Sequence, residues 1–111
     1  MIGYVYLLLE VDAEGKERHK IGITKNHPDK RVKQLQTGNS NKISTLNYYE
    51  SANYKKIERM LHKKYLNKKT ETENEWFNLT DEDVKNFIPT CEKYDKNFQF
   101  LQENNTLFLG S

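Results

Sequence analysis

Residues 3–24 read GYVYLLLEVDAEGKERHKIGIT, and this stretch decides the fold. Residues 3–10 are rich in Tyr, Val and Leu and predict a strand, and the Leu-Leu-Leu run at 7–9 indicates that it is central and buried on both faces. A turn that contains a glycine leads into a second short strand at residues 19–24. The two strands are predicted to form a hairpin, and Gly22 within the second one predicts a close backbone approach or a bulge.

The residues that follow predict two helices separated by a third strand. The first helix, at residues 28–36, begins with Pro28, which suits the first turn of a helix. A third strand at residues 43–50 leads to a second helix at 52–66, which Ser51 is predicted to cap. The apolar residues of the second helix are spaced by 3, 4 and 4 positions and form one stripe: Tyr54, Ile57, Leu61 and Tyr65.

The last part of the chain predicts a short apolar insert around Trp76, then a third helix that begins at Thr80 and ends at Pro89. The expected fold is an α+β domain with a small, mostly antiparallel three-stranded sheet flanked by helices. This domain is predicted to span residues 1–89. Residues 90–111 are predicted to form a short C-terminal extension, in which two apolar segments around Gln-Glu-Asn-Asn indicate a hairpin.

The composition excludes several classes of protein. The chain has 111 residues and a mass of 13.2 kDa, which suits one domain. A single cysteine, Cys91, excludes an internal disulfide and a zinc site built from several thiolates. No apolar run approaches the roughly 18 residues that a membrane helix needs. We therefore expect an intracellular, cytoplasmic protein without a membrane partner.

The charge is distributed unevenly along the chain. Residues 1–70 carry 15 basic and 7 acidic side chains, a net charge of +8, whereas residues 71–111 carry 3 basic and 9 acidic side chains, a net charge of −6. A basic body favours a polyanionic partner, although the same charges also serve as an ordinary solvated surface.

Several short motifs follow one another in an order that resembles the GIY-YIG nuclease superfamily. They are Tyr4-Val5-Tyr6 on the first strand, Lys20-Ile21-Gly22 on the second, Arg31 and Leu35 on the first helix, Glu58 and His62 on the second, and then Glu75-Trp76-Phe77. The resemblance covers about residues 3–79 and is nearest to the phage- and virus-rich branch with a Lys-Ile-Gly second motif. It implies an endonuclease that hydrolyses DNA phosphodiester bonds with one Mg²⁺ (or Mn²⁺), in a protein of phage, virus or mobile-element origin.

The resemblance also implies a role for each candidate catalytic residue. Tyr6 is the general base; because a phenol has a pKa of about 10, it needs a nearby cation to favour its phenolate, and Lys20 on the adjacent strand, within about 5 Å, is the candidate. Arg31 clamps the phosphate through its planar guanidinium. Glu58 holds the metal, since Mg²⁺ needs few protein ligands. His62 is a supporting residue, and the proton acceptor stays open between Tyr6, Lys20 and His62.

Basic residues of the two helices, together with Lys25 just before the first helix, are predicted to bind the phosphate backbone of DNA. They are Lys25, Lys30, Lys33, Lys55, Lys56, Arg59 and Lys63. Around the second helix, Glu58 and then His62 lie between the apolar stripe and the basic side. The protein is expected to act as a monomer or a homodimer.

Two other functions fit the same residues. One is a nucleic-acid-binding module that keeps the fold without the chemistry. The other is a structural protein whose acidic segment, residues 71–111, docks onto a partner. Taken singly, each candidate residue also has an ordinary role: Tyr6 as a core tyrosine, Glu58 as an ion-pair partner on the helix surface, Trp76 as a core residue.

Overall fold

The computed structural model describes residues 1–70 and 76–109, so Glu75 of the last motif lies outside the described residues. In chain order the elements are β1 (Gly3–Val11), β2 (Glu17–Thr24), α1 (Pro28–Gln36), β3 (Lys42–Ser51), α2 (Tyr54–Lys64), a 3-10 turn (Leu66–Lys68), β4 (Trp76–Phe77), α3 (Asp81–Lys85) and α4 (Phe87–Leu109). The α+β fold with an antiparallel sheet flanked by helices is confirmed.

The sheet has four strands in the order β3-β1-β2-β4, and all neighbours are antiparallel. β1 is central, as the apolar run predicts, and Gly15 has the positive φ of 80° that its turn requires. The sheet has one strand more than the three predicted, because Trp76 and Phe77 pair with Lys20 and His19 on the outer edge of β2. Both aromatic side chains are buried, so the structure places them in the core.

Alternation along β1 separates two cores on the two faces of the sheet. Val5 and Leu7 point to one face, where α2 and α4 cover them, and the predicted apolar stripe of α2 packs there. Tyr6 and Leu8 point to the other face, where they pack with Ile43 and with the inner side of α1. The two helices that carry the candidate site residues therefore lie on opposite faces of the sheet.

The prediction of a C-terminal hairpin is wrong, because residues 87–109 form one helix, α4. Pro89 does not end a helix; it lies in the first turn of α4, where its missing N–H leaves no hydrogen bond unmade. Phe87 and Cys91 anchor α4 in the core of the α2 face. The division of the chain into residues 1–89 and 90–111 stays a prediction. Among the helices in the described ranges, none is both long and apolar enough to cross a membrane.

A buried carboxylate ties α4 to the end of β3. Asp95 accepts hydrogen bonds from the Tyr49 hydroxyl at 2.8 Å, the Ser51 hydroxyl at 2.9 Å and the Asn53 amide at 2.9 Å. Burial alone would raise the pKa of Asp95, but these hydrogen bonds outweigh it and hold the pKa below its ordinary value. The hydrogen-bonded carboxylate of Asp95 thereby fixes α4 against the end of β3.

Of the two predicted helix caps, one is confirmed and the other is wrong. Thr80 and Asp83 form the predicted capping box at the start of α3. Ser51 is not the cap of α2, because it is still the last residue of β3 and the helix begins at Tyr54. Its hydroxyl accepts from the Asn53 N–H at 2.9 Å and so helps to form the turn between the two elements.

Candidate active site

The side chain of Tyr6, on β1, lies over Gly22 of the neighbouring strand β2. The two residues are direct cross-strand partners, and a Cβ at position 22 would overlap the hydroxyl and ring of Tyr6. Of the two alternatives predicted for Gly22, the close approach to its backbone is the one observed, and the approaching group is the phenol of Tyr6. Tyr6 is 2% exposed and packs with Leu8 and Ile43, so the ring is held by the core while its hydroxyl reaches the backbone of β2.

Lys20 lies on the same face of the sheet as Tyr6 but is not its direct cross-strand neighbour. Its partner on β1 is Leu8, and on its other side it pairs with Trp76. Diagonal pairs of this kind are separated by about 7–8 Å. Lys20 and Tyr6 are therefore not the direct cross-strand neighbours that the expected separation of about 5 Å assumed. Lys20 is 6% exposed, and its Nζ lies 5.2 Å from the centre of the Trp76 ring, as a cation–π contact.

Arg31 reaches the same face from α1. This helix is held on the sheet by Val32 and Leu35, which pack against the core that contains Tyr6. Arg31 is half-buried, and its Nη1 donates to Gln34 Oε1 over a long 3.4 Å. A weak contact of this kind leaves the guanidinium able to exchange its partner for a phosphate.

Glu58 and His62 approach β2 from the opposite face, on α2. The Nε2 atom of His62 lies 2.9 Å from the carbonyl oxygen of Ile21. A carbonyl only accepts, so Nε2 carries the proton and Nδ1 is left as the acceptor. Glu58 precedes His62 by one turn and lies on the same side of the helix, half-buried.

The two sets of residues meet at one segment of β2. Tyr6 covers Gly22 from one face, and His62 binds the carbonyl of the preceding residue, Ile21, from the other. On β2, β4 pairs with His19 and Lys20, so this segment follows directly after the part of the β2 edge that β4 occupies. Tyr6 of β1 and His62 of α2 therefore reach adjacent residues of β2 from opposite faces of the sheet.

The donor set suits a metal that takes few protein ligands. Within residues 1–70 and 76–109, no group of three or more His, Cys, Asp or Glu side chains is arranged to hold a metal ion. A dedicated zinc-like site is therefore not formed by these residues. One carboxylate oxygen, as on Glu58, fits Mg²⁺, which keeps several waters and takes its other ligands from substrate phosphates.

The predicted DNA-binding residues are all exposed, but they lie on two sides of the molecule. Three belong to the β2–α1 side: Lys25, Lys30 and Lys33. Four belong to α2: Lys55, Lys56, Arg59 and Lys63. Of these, Lys56, Arg59 and Lys63 border a groove of about 340 Å³ whose other wall is formed by Phe98, Leu101 and Gln102 of α4. The basic side of α2 thus lies beside α4, a helix that was not predicted.

The sequence did not predict an aromatic cluster near Tyr6, although Tyr4 belongs to the first motif. Tyr4, His27 and Tyr48 form one cluster on the α1 face. His27 also accepts a hydrogen bond from the Asp29 N–H at 3.2 Å and so caps α1. The only sequence signal was the position of His27 directly before the helix-initiating Pro28, since the register that brings Tyr48 opposite Tyr6 is not visible in the sequence.

The comparison with known families concerns nearly the whole of this fold. The T5orf172 domain matches residues 3–92, from the start of β1 into α4. This domain is related to the GIY-YIG nuclease-like fold, in line with the order of motifs on β1, β2, α1 and α2. No curated protein and no solved structure matches the chain. On this match, the chain belongs to the T5orf172 domain family.

Proposed function

We propose that the protein is a metal-dependent endonuclease that hydrolyses phosphodiester bonds in DNA. The T5orf172 domain itself suggests a nuclease-like or nucleic-acid-binding function. The observation that supports the finer proposal is that Tyr6 and His62 reach adjacent residues of β2, Gly22 and Ile21, from opposite faces. Glu58 lies one turn before His62 on the same side of α2, and we propose that its carboxylate acts on a phosphodiester bound at this edge.

Tyr6 is the proposed proton acceptor for the attacking water. Because residue 22 is a glycine, the hydroxyl lies against backbone, where polar N–H and C=O groups surround it in place of an apolar side chain. Lys20, on the diagonal position, is the candidate cation on this face, and its contact with Trp76 competes for the ammonium. His62 is the second candidate acceptor, through Nδ1, since its Nε2 is engaged with Ile21.

Arg31 and Glu58 are proposed to act on the phosphate itself. Arg31 binds the non-bridging oxygens, where its charge offsets the negative charge that develops during attack. Glu58 is the residue that would hold Mg²⁺ or Mn²⁺, and such an ion supplies charge neutralisation at the leaving oxygen. An intracellular location, a phage or virus origin, and a monomeric or homodimeric state stay predictions.

The proposal is tested by incubating the purified protein with supercoiled plasmid and Mg²⁺ or Mn²⁺. We expect conversion to nicked and linear forms that stops on addition of EDTA. Binding of the plasmid without any nicking, in the presence of either metal, would contradict the endonuclease and favour the non-catalytic nucleic-acid-binding module.

Charge reversal on α2 tests how DNA reaches this edge. We expect the triple variant Lys55→Glu, Arg59→Glu, Lys63→Glu to bind every DNA sequence more weakly and to flatten the salt dependence, by about one unit of slope for each lost phosphate contact. Fluorescence anisotropy over a salt series measures both effects.

The matched control reverses three exposed lysines near or on α4, Lys85→Glu, Lys93→Glu and Lys96→Glu, with the same change in net charge. If both triple variants lose affinity equally, the effect belongs to net charge and not to α2. A loss confined to some sequences would indicate base recognition by this helix.

A further inference from the structure

Tyr4, His27 and Tyr48 form a cluster of three rings at the surface, in which His27 and Tyr48 are exposed and Tyr4 is half-buried. The ring centres of His27 and Tyr48 lie 5.0 Å apart, those of Tyr4 and Tyr48 5.8 Å, and those of Tyr4 and His27 6.1 Å. The Nε2 atom of His27 lies 3.3 Å from the Tyr48 hydroxyl. These contacts hold the three rings at steep mutual angles and restrict their motion.

The cluster is not part of either core. Tyr48 is 40% exposed and the side chain of His27 is 50% exposed, whereas Trp76 and Phe77 are 5% and 0% exposed. Among the described side chains, the core on this face consists of Tyr6, Leu8 and Ile43, with Val32 and Leu35 packed against it. The rings of the cluster therefore offer flat apolar faces to solvent at one place on the surface.

The position of the cluster relates it to the proposed reaction. Tyr48 is the direct cross-strand partner of Tyr6 on β3, and Tyr4 lies two residues before Tyr6 on the same face of β1. His27 precedes Arg31 by one turn of α1 and shares its side of the helix. The cluster is thus next to the residues that are proposed to bind the reacting phosphate.

The chemistry of the cluster suits a nucleobase. The Tyr4 phenol is neutral at neutral pH, as an ordinary phenol is, and the Glu50 carboxylate, and after it burial, raises its pKa further. Tyrosine rings stack on bases of any sequence, because every base has a π-face. Two exposed cations, Lys25 and Lys30, follow β2 and begin α1 on the same side, where they can contact flanking phosphates.

We propose that Tyr4, His27 and Tyr48 form a platform on which an unstacked base lies next to the scissile phosphate, so that the substrate class is DNA with a single-stranded or unpaired segment at the cleavage position. This inference rests on the proposed function for its location. A base that is paired and stacked in a regular duplex does not present its face, so the platform contributes to binding only where the duplex is open.

The test measures binding of the full chain in EDTA, so that no cleavage occurs. The probes are a fluorescein-labelled oligothymidylate and a hairpin duplex that carries the same label, and the readout is fluorescence anisotropy. We expect Tyr48→Ala to weaken binding of the single strand about five- to a hundredfold, while binding of the duplex changes less than about twofold. Tyr48→Phe keeps the ring and should bind like the wild type.

The matched control is Phe100→Ala, which removes another exposed aromatic ring, 62% exposed, from the distant surface of α4. It should leave both affinities unchanged. Thermal melts followed by circular dichroism verify that each variant folds, and the surface position of Tyr48 makes a folded alanine variant the expected result.

Two outcomes would overturn the platform: unchanged affinity of Tyr48→Ala for the single strand, or an equal loss on both probes. The outcome is separable from the proposed function. A protein that never nicks plasmid can still show the single-strand preference in EDTA, and a protein that nicks plasmid without any effect of Tyr48→Ala keeps the nuclease and loses the platform.

Discussion

Glu58→Gln is expected to abolish DNA cleavage while DNA affinity stays equal or increases. Glutamine keeps the size of the side chain but removes the charged oxygen that Mg²⁺ or Mn²⁺ requires. Removal of a negative charge beside the bound phosphate also relieves repulsion, so binding does not weaken. Plasmid nicking measures the first effect, and anisotropy with a labelled duplex in EDTA measures the second.

The same substitution at Glu92, an exposed carboxylate on α4, is the matched control and should leave cleavage unchanged. A Glu58→Gln protein that nicks plasmid at the wild-type rate removes Glu58 from the proposed metal site. A Glu58→Gln protein that neither cleaves nor binds DNA indicates a loss of folding, which a thermal melt identifies.

Tyr6→Phe is expected to lower the cleavage rate by about 10²–10⁴-fold, the range for loss of a general base. The fold should be kept, because the ring still packs with Leu8 and Ile43 and only the hydroxyl is removed. Single-turnover cleavage gives the rate, and urea denaturation gives the free energy of unfolding. If Tyr6→Phe cleaves like the wild type, the proton acceptor is Lys20 or His62.

Gly22→Ala provides a second route to the same group. The new methyl overlaps the Tyr6 phenol, so the ring must shift, with a loss of cleavage and a free energy of unfolding that is lower by about 1–3 kcal/mol. In a Tyr6→Leu background the side chain is shorter, so the same glycine substitution should be less destabilising. If Gly22→Ala lowers the free energy of unfolding equally in both backgrounds, the Tyr6 ring does not lie against residue 22.

The sequence by itself determined the elements whose signals are local. The hairpin of β1 and β2, the helix α1 that starts at Pro28, and the capping box at Thr80 all depend on neighbours within a few residues. The stripe of α2 was also predictable, since helical spacing alone places its apolar side chains on one face. The order of motifs that led to the nuclease resemblance belongs to the same category, because order is a property of the chain.

Only the tertiary structure decided the elements whose energy comes from distant contacts. β4 is two residues long and forms because Trp76 and Phe77 pair with an open edge of β2. No local sequence pattern predicts this pairing. The apolar residues after Pro89 are compatible with both periods, and helix α4 is selected by the burial of Phe87 and Cys91 and by the bonds to Asp95.

The register of the sheet also lay beyond the sequence, and the candidate site depends on it. A shift by one residue would move Tyr6 to the other face, and a shift by two would place Lys20 in place of Gly22 across from it. Because register is set by turn geometry and by packing on both faces together, the chain alone indicated which residues are candidates for the proposed chemistry but not which of them meet. The meeting of Tyr6 with Gly22, and of His62 with Ile21, follows from two cores that pack on opposite sides of one strand.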